Sequence, residues 1–198
     1  MRLRKIAVLL VVAAAFGLAG CGGTVTSTKG PVDVSQSEIA ALTDGILALG
    51  PGIDPEEAAR IARISIEYSL QLRREYNVTD PPLIHNSKVN LGLRPRGLCY
   101  QWADDLEARL RLENFQTLIL HRVIANSTNF RIEHSTVIAS RPGDSEDQGM
   151  ILDPWRYGGE LFWAPTLEDT KYVWLPRAQV FAEKRRKLRA KGLLPPRT

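Results

Sequence analysis

The sequence predicts an α+β domain, and three observations carry that prediction. Apolar residues recur at helical spacing through much of residues 35–113. Residues rich in Ile, Val, Thr and Phe then gather in short runs over 115–163, the composition of strands. The last charged segment, 176–191, returns to a helical pattern.

The first helix starts at Ser35, which forms a capping-box pattern with Glu38. Ile39, Leu42, Ile46 and Leu49 follow at helical spacing, and Gly50-Pro51 stops the run. The second has Asp54 as N-cap, Pro55 in the first helical position and Glu57 at the third. It carries Ile61, Ile64, Tyr68 and Leu72 to an end near Asn77. Residues 80–97 hold Pro81, Pro82, Gly92, Pro95 and Gly97, which reads as an extended loop leading to Cys99. A third helix is expected over 98–113, with Cys99, Trp102, Leu106 and Leu110 one above another on its inner face. Segments 115–125 and 130–140 read as adjacent antiparallel strands joined by 126–129. A polar loop (141–149), a short third strand (150–153) and a fourth (160–163) follow. The final helix offers Val180, Phe181 and Leu188 for packing.

The N-terminus reads as a targeting segment. Arg2, Arg4 and Lys5 precede an apolar run from Ile6 to Leu18 that ends at Ala19-Gly20-Cys21. That run is shorter than a membrane-spanning helix needs, and small residues follow it. Leu18-Ala19-Gly20-Cys21 resembles the lipobox of bacterial lipoproteins. The resemblance implies removal of residues 1–20, a diacylglyceryl group on Cys21, and a chain held to a bilayer without crossing it. Gly22 as the second mature residue resembles the pattern sorted to the outer membrane, facing the periplasm. Residues 21–34, rich in Gly, Thr and Ser, read as a flexible tether, and 35–198 as one domain with a basic C-terminal helix.

Losing Arg2, Arg4 and Lys5 takes the formal net charge from +4 to +1, so overall charge points to no nucleic-acid partner. The residual asymmetry lies in residues 183–198, where seven Lys and Arg face one Glu. Such a run reads as a solvated helix end, with anionic lipid head groups as the next reading. Of two cysteines, one is assigned to lipid, which leaves Cys99 as a free thiol. Taken alone, Cys99 fits a small buried apolar residue; its surroundings point elsewhere.

A thiol attacks as thiolate, and the unpaired N–H groups of a helix N-terminus lower its pKa. Cys99 sits at such a position. Gly97 lets the backbone turn tightly before it, and Trp102 shields its inner side. His134, in a strand, is the expected base, with Asp153 on the next strand to orient it. His121 reads as a satisfied structural histidine. His85 reads as either a cleft residue or a solvated one, and Asp153-Pro154-Trp155-Arg156 reads alternatively as a turn around a buried Trp. The backbone N–H of Cys99 is the first oxyanion donor; Asn86, Asn90 and Gln101 remain open as a second. Paired metal-ligand spacings and phosphate-binding glycine loops are absent from the sequence, so no cofactor is expected.

Gly97-Leu98-Cys99-Tyr100-Gln101-Trp102-Ala103 resembles the Gly-x-Cys-x-x-aromatic-Ala motif of the transglutaminase-like superfamily of bacterial cysteine proteinases, and His134 and Asp153 match its second and third motifs in order. The resemblance covers residues 97–155. Thr136 departs from it, since many relatives carry an aromatic residue there. It implies a papain/transglutaminase-like core, with N-terminal helices and the nucleophile helix packed on a small antiparallel sheet. It also implies a Cys99-His134-Asp153 thiol hydrolase acting on peptide or protein amides of the cell envelope through a thioester. Trp102, His85, Asn90 and Trp155 are the expected cleft residues. The alternative is a lipoprotein that binds a peptide or envelope partner in the same cleft without chemistry.

Overall fold

Residues 35–126 and 133–195 are described in a computed structural model of the chain. The predicted signal (1–20), the tether and Cys21 lie outside the described residues, as does most of the expected connection between the first two strands.

The first helix, α1 (Gln36–Leu47), buries Ile39, Leu42 and Ile46. Its predicted capping box does not form: the Ser35 side chain caps no helix N–H and bonds the Ser37 hydroxyl at 2.5 Å. In α2 (Pro55–Glu75) the cap is present, Asp54 Oδ1 accepting from the N–H groups of Glu56 (2.8 Å) and Glu57 (3.0 Å). Residues expected to run as an extended loop contain a nine-residue helix, α3 (Pro82–Asn90). The prolines begin this helix instead of preventing it. Pro82 occupies the first helical position, where a missing N–H costs nothing, and Pro81 stands before it as N-cap.

The helix that opens with Cys99 is α4 (Cys99–Arg111), with Trp102, Ala103, Leu106 and Leu110 buried. Five strands follow: β1 (Ile119–Ala125), β2 (His134–Ser140), β3 (Met150–Tyr157), β4 (Glu160–Pro165) and β5 (Leu175–Pro176). They form one sheet in the order β4-β3-β2-β1-β5, every adjacent pair antiparallel. The short strand β5 has no counterpart in the sequence reading, and β3 runs four residues past its expected end. The chain closes with α5 (Arg177–Ala190). Of the three side chains expected to pack from α5, Val180 is buried, whereas Phe181 and Leu188 are exposed.

Both sheet faces are covered. On one, Ile39, Leu42 and Ile46 of α1, Ile61 and Ala62 of α2, and Leu106 and Leu110 of α4 pack on Ala139, Met150 and Leu152. On the other, Val123, Ala125, Ile138 and Ile151 meet Tyr172 and Trp174 of the segment before β5. Each fully buried large aliphatic side chain contributes about 1.5–3 kcal/mol, so these layers fix where α4 ends against the sheet.

Candidate active site

The start of α4 is shaped by a close approach at Gly97. Its φ is +126°, and a Cβ there would stand 2.3 Å from His85 Nε2. His85 is 1% exposed and its Nε2 donates to the Arg96 carbonyl at 3.0 Å. The histidine expected as a cleft or solvated residue is therefore a buried brace on the turn ahead of Cys99. Gln101 Oε1 accepts from the N–H groups of Gly97 (2.9 Å) and Leu98 (3.0 Å), closing the first turn of the helix. Trp102 Nε1 donates to the Gly97 carbonyl at 3.0 Å, and its ring packs edge-on to Tyr76 in the cluster that includes Cys99.

Cys99 is brought to β2. The β2–β3 ladder pairs Val137 with Leu152, Ile138 with Ile151 and Ala139 with Met150. Residues 133–135, ahead of that ladder, meet the thiol. Cys99 Sγ donates to the Glu133 carbonyl at 3.4 Å, and the Ser135 backbone N–H points back at the sulfur. The thiol thus lies against the backbone on both sides of His134.

Arg122, a buried residue of β1, holds helix and strand in this relation. Its guanidinium donates to the Tyr100 carbonyl (3.2 Å) and Asp104 Oδ1 (2.7 Å) on α4, and to Ser135 Oγ (3.1 Å) and the Thr136 carbonyl (3.0 Å) on β2. The neighbouring His121 bonds Ser140 Oγ at 2.7 Å, which fits the structural role expected of it.

His134 is 1% exposed and Asp153 fully buried. His134 Nε2 lies 2.7 Å from Asp153 Oδ2. A carboxylate only accepts, so the ring proton sits on Nε2 and Nδ1 keeps a lone pair; that Nδ1 has no hydrogen-bond partner. Asp153 belongs to β3, not to a turn. Its Oδ1 accepts from the N–H groups of Trp155 and Arg156, and its Oδ2 from Arg156 Nε at 2.9 Å. Burial opposes its ionisation, but His134 and Arg156 outweigh that and hold the carboxyl below the usual carboxylate range.

Three aromatic rings enclose the imidazole. Centroids of Trp155, Tyr172 and Trp174 stand 4.6, 4.9 and 5.3 Å from that of His134. Asp169 fixes two sides of this enclosure, accepting from both terminal nitrogens of Arg156 (3.1 and 2.7 Å) and from Trp174 Nε1 (3.0 Å). Asn86 Oδ1 accepts from Trp155 Nε1 at 3.0 Å. Asn90 ends α3 exposed, and no hydrogen bond ties it to Cys99, His134 or Asp153.

The structure brings together Cys99, His134, Asp153, Trp102 and Trp155, and adds Arg122, Arg156, Asp169, Tyr172 and Trp174, which the sequence reading missed. It also reverses one sign. The helix N-terminus was expected to lower the Cys99 pKa. Burial instead pushes the thiol up to about 11, against a smaller downward pull from the Ser135 and Tyr100 amides. Desolvation of a thiolate exceeds what two N–H dipoles return. Among the described residues no group of three or more His, Cys, Asp and Glu is placed to hold a metal. No family model, curated protein or solved structure matches the chain.

Proposed function

We propose that this chain is a cell-envelope lipoprotein whose domain is a thiol hydrolase with a papain/transglutaminase-like core, acting on amide or peptide bonds. The observation that carries the reading is the buried His134–Asp153 pair at 2.7 Å, whose imidazole keeps Nδ1 unpartnered while the Cys99 thiol lies against the same stretch of β2. Cys99 passes its proton to Nδ1 as the sulfur adds to the substrate carbonyl carbon, and Asp153 steadies the imidazolium through Nε2–H. His134 returns that proton to the departing amine as the C–N bond breaks. Water, deprotonated by His134, then cleaves the thioester. The Cys99 backbone N–H is the first donor to the oxyanion. Asn86 and Gln101 are both committed through their side-chain oxygens, which leaves their NH2 groups as donors. Anchoring through lipid on Cys21, at the outer membrane facing the periplasm, places peptides, isopeptides and peptidoglycan stem amides within reach as substrates.

A second reading has its own observation. The thiol points at the Glu133 carbonyl and burial pushes it up to about 11, a resting arrangement suited to a binding cleft without chemistry. Labelling with an iodoacetamide probe between pH 5 and 11 separates the two. If His134 takes the thiol proton, wild type labels at pH 6 and His134→Ala does not, while His121→Ala labels as wild type. Equal labelling of wild type and His134→Ala, rising only in the alkaline range, leaves the binding cleft.

A further inference from the structure

We infer that α5 is an interfacial helix that lies on an anionic phospholipid bilayer. The helix seats itself on the domain through Val180, 3% exposed, and through ion pairs from Arg177 to Asp104 and from Lys184 to Glu133. Beside that seat it carries an apolar stripe. Phe181 is 41% exposed, Leu188 40% and Leu193 66%. Phe181 and Leu188 are seven residues apart, two helical turns, and so share a face. Leu193 is folded back to join them: Gly192 takes φ +68° and the Leu193 N–H bonds the Leu188 carbonyl at 2.9 Å. That is a helix stop which sets the side chain after the glycine against the last turn.

The cations are arranged around this stripe. Arg185 lies four residues beyond Phe181, while Lys184 and Lys191 lie four before and three beyond Leu188, so both edges carry a cation next to an apolar side chain. Lys184 Nζ stands 5.8 Å from the Phe181 ring centroid. Arg185 and Lys191 have no acidic partner among the described residues. The one acid of the helix, Glu183, sits on the far side, where it pairs with Arg186 and Lys187. A narrow Phe/Leu stripe edged by Lys and Arg, with its acid turned away, matches a lipid surface: the apolar tips enter the acyl boundary and the long cationic stems reach phosphates. Among the described residues no helix is long and apolar enough to cross a membrane, so α5 lies along the surface. Charge decides between lipid surfaces, since the three cations edging the stripe, Lys184, Arg185 and Lys191, favour an anionic leaflet over a zwitterionic one. Lys184 also pairs with Glu133, whose carbonyl accepts the Cys99 thiol, so the bilayer contact fixes the height of the candidate site above the membrane.

The test is limited trypsin digestion of the full chain reconstituted with vesicles of phosphatidylglycerol or of phosphatidylcholine. Cleavage at Arg185, Arg189 and Lys191 is followed by mass spectrometry and normalised to cleavage at exposed Lys171. Any N-terminal anchor is the same in both vesicles, so the ratio reads α5 alone. On phosphatidylglycerol the three sites should be cut at least about tenfold more slowly, because each surface-bound Lys or Arg strengthens attachment several-fold, and 0.5 M salt, on the order of a 4 Å screening length, should remove most of that protection. Phe181→Ser with Leu188→Ser should lose the protection. Arg185→Glu with Lys191→Glu, at positions without folded partners, should lose it too, read at Arg189, the one of the three sites that this variant keeps. Equal cleavage in the two vesicles, or protection that survives the charge reversal, overturns the proposal.

Discussion

Replacing Arg122 by Met tests how the helix that bears Cys99 is held to the strand that bears His134. The substitution keeps most of the aliphatic stem and removes four hydrogen bonds, two to α4 and two to β2. Removing one partner of a buried ion pair ordinarily costs about 3–5 kcal/mol, because the other charge is stranded. Here the stranding is partial. Asp104 is 46% exposed and keeps Arg177 at 3.4 Å, and Glu107, whose Oε2 lies 3.3 Å from Arg122 Nε, keeps Arg111 at 2.6 Å. What loses a donor is chiefly the Thr136 carbonyl, at about 1–3 kcal/mol for a buried acceptor that finds no water, and the Tyr100 carbonyl, which keeps its bond within α4 and loses less. The expected loss is therefore roughly 2–4 kcal/mol, below the full buried-pair figure. With a urea slope of about 1–3 kcal/mol per molar for a domain of this size, the midpoint should fall by on the order of 1–2 M. Arg122→Lys, which reaches one side of the clasp at a time, should fall between wild type and Arg122→Met. A loss under about 0.5 kcal/mol for Arg122→Met, the size of an ordinary surface change, would refute the clasp.

Gly97→Ala should destabilise by roughly 2–4 kcal/mol, combining an unfavourable backbone conformation with the collision on His85, and a neutral result in the same urea assay would show that the turn relaxes. Glu57 is buried and accepts from the Gln116 N–H (2.7 Å), the Thr117 N–H (2.8 Å) and the Thr117 hydroxyl (2.6 Å), bonding α2 to the chain leading into β1. Glu57→Gln, keeping one acceptor and losing the charge, should cost about 1.5–3 kcal/mol, and an unchanged midpoint would assign those bonds no net value. The depressed Asp153 carboxyl contributes stability that is present above its unfolded pKa, about 3.9, and is lost as pH falls through its lower folded value. The stability gap between wild type and Asp153→Asn should then be widest near neutrality and close in acid; a gap independent of pH would contradict that linkage.

How much of this was legible in the sequence follows from the range of each interaction. Helix α2 could be read because its signals are local: Asp54, Pro55 and Glu57 lie at its start and Ile61 and Leu72 on one face. Helix α3 could not, because it carries a single buried side chain, His85, and its prolines and nearby glycine are also the marks of a loop. Its partners are Gly97 and Trp155, which no periodicity within residues 82–90 indicates. The order Cys99, His134, Asp153 was legible because each stands at a recognisable place, a helix start or a strand.

The electrostatic surroundings of that order were not legible, and the reason is physical. Helix-terminal dipoles act within one turn and can be read from local sequence. Desolvation depends on everything that packs around a group: Cys99 packs in a cluster with Tyr76, Trp102 and Trp155, and His134 is covered by Trp155 and by Tyr172 and Trp174, some forty residues beyond it. That cover is fastened by Arg156 and Asp169, thirteen residues apart with no repeating pattern between them. The dryness that raises Cys99 also strengthens the His134–Asp153 bond, since charges in a low-dielectric pocket interact more strongly than in water. A thiol that resists ionising alone and an imidazole whose partner is held ionised therefore arise from the same packing. In the proposed mechanism, proton transfer from Cys99 to His134 brings no net charge into the pocket, which is the route to thiolate that such packing leaves open.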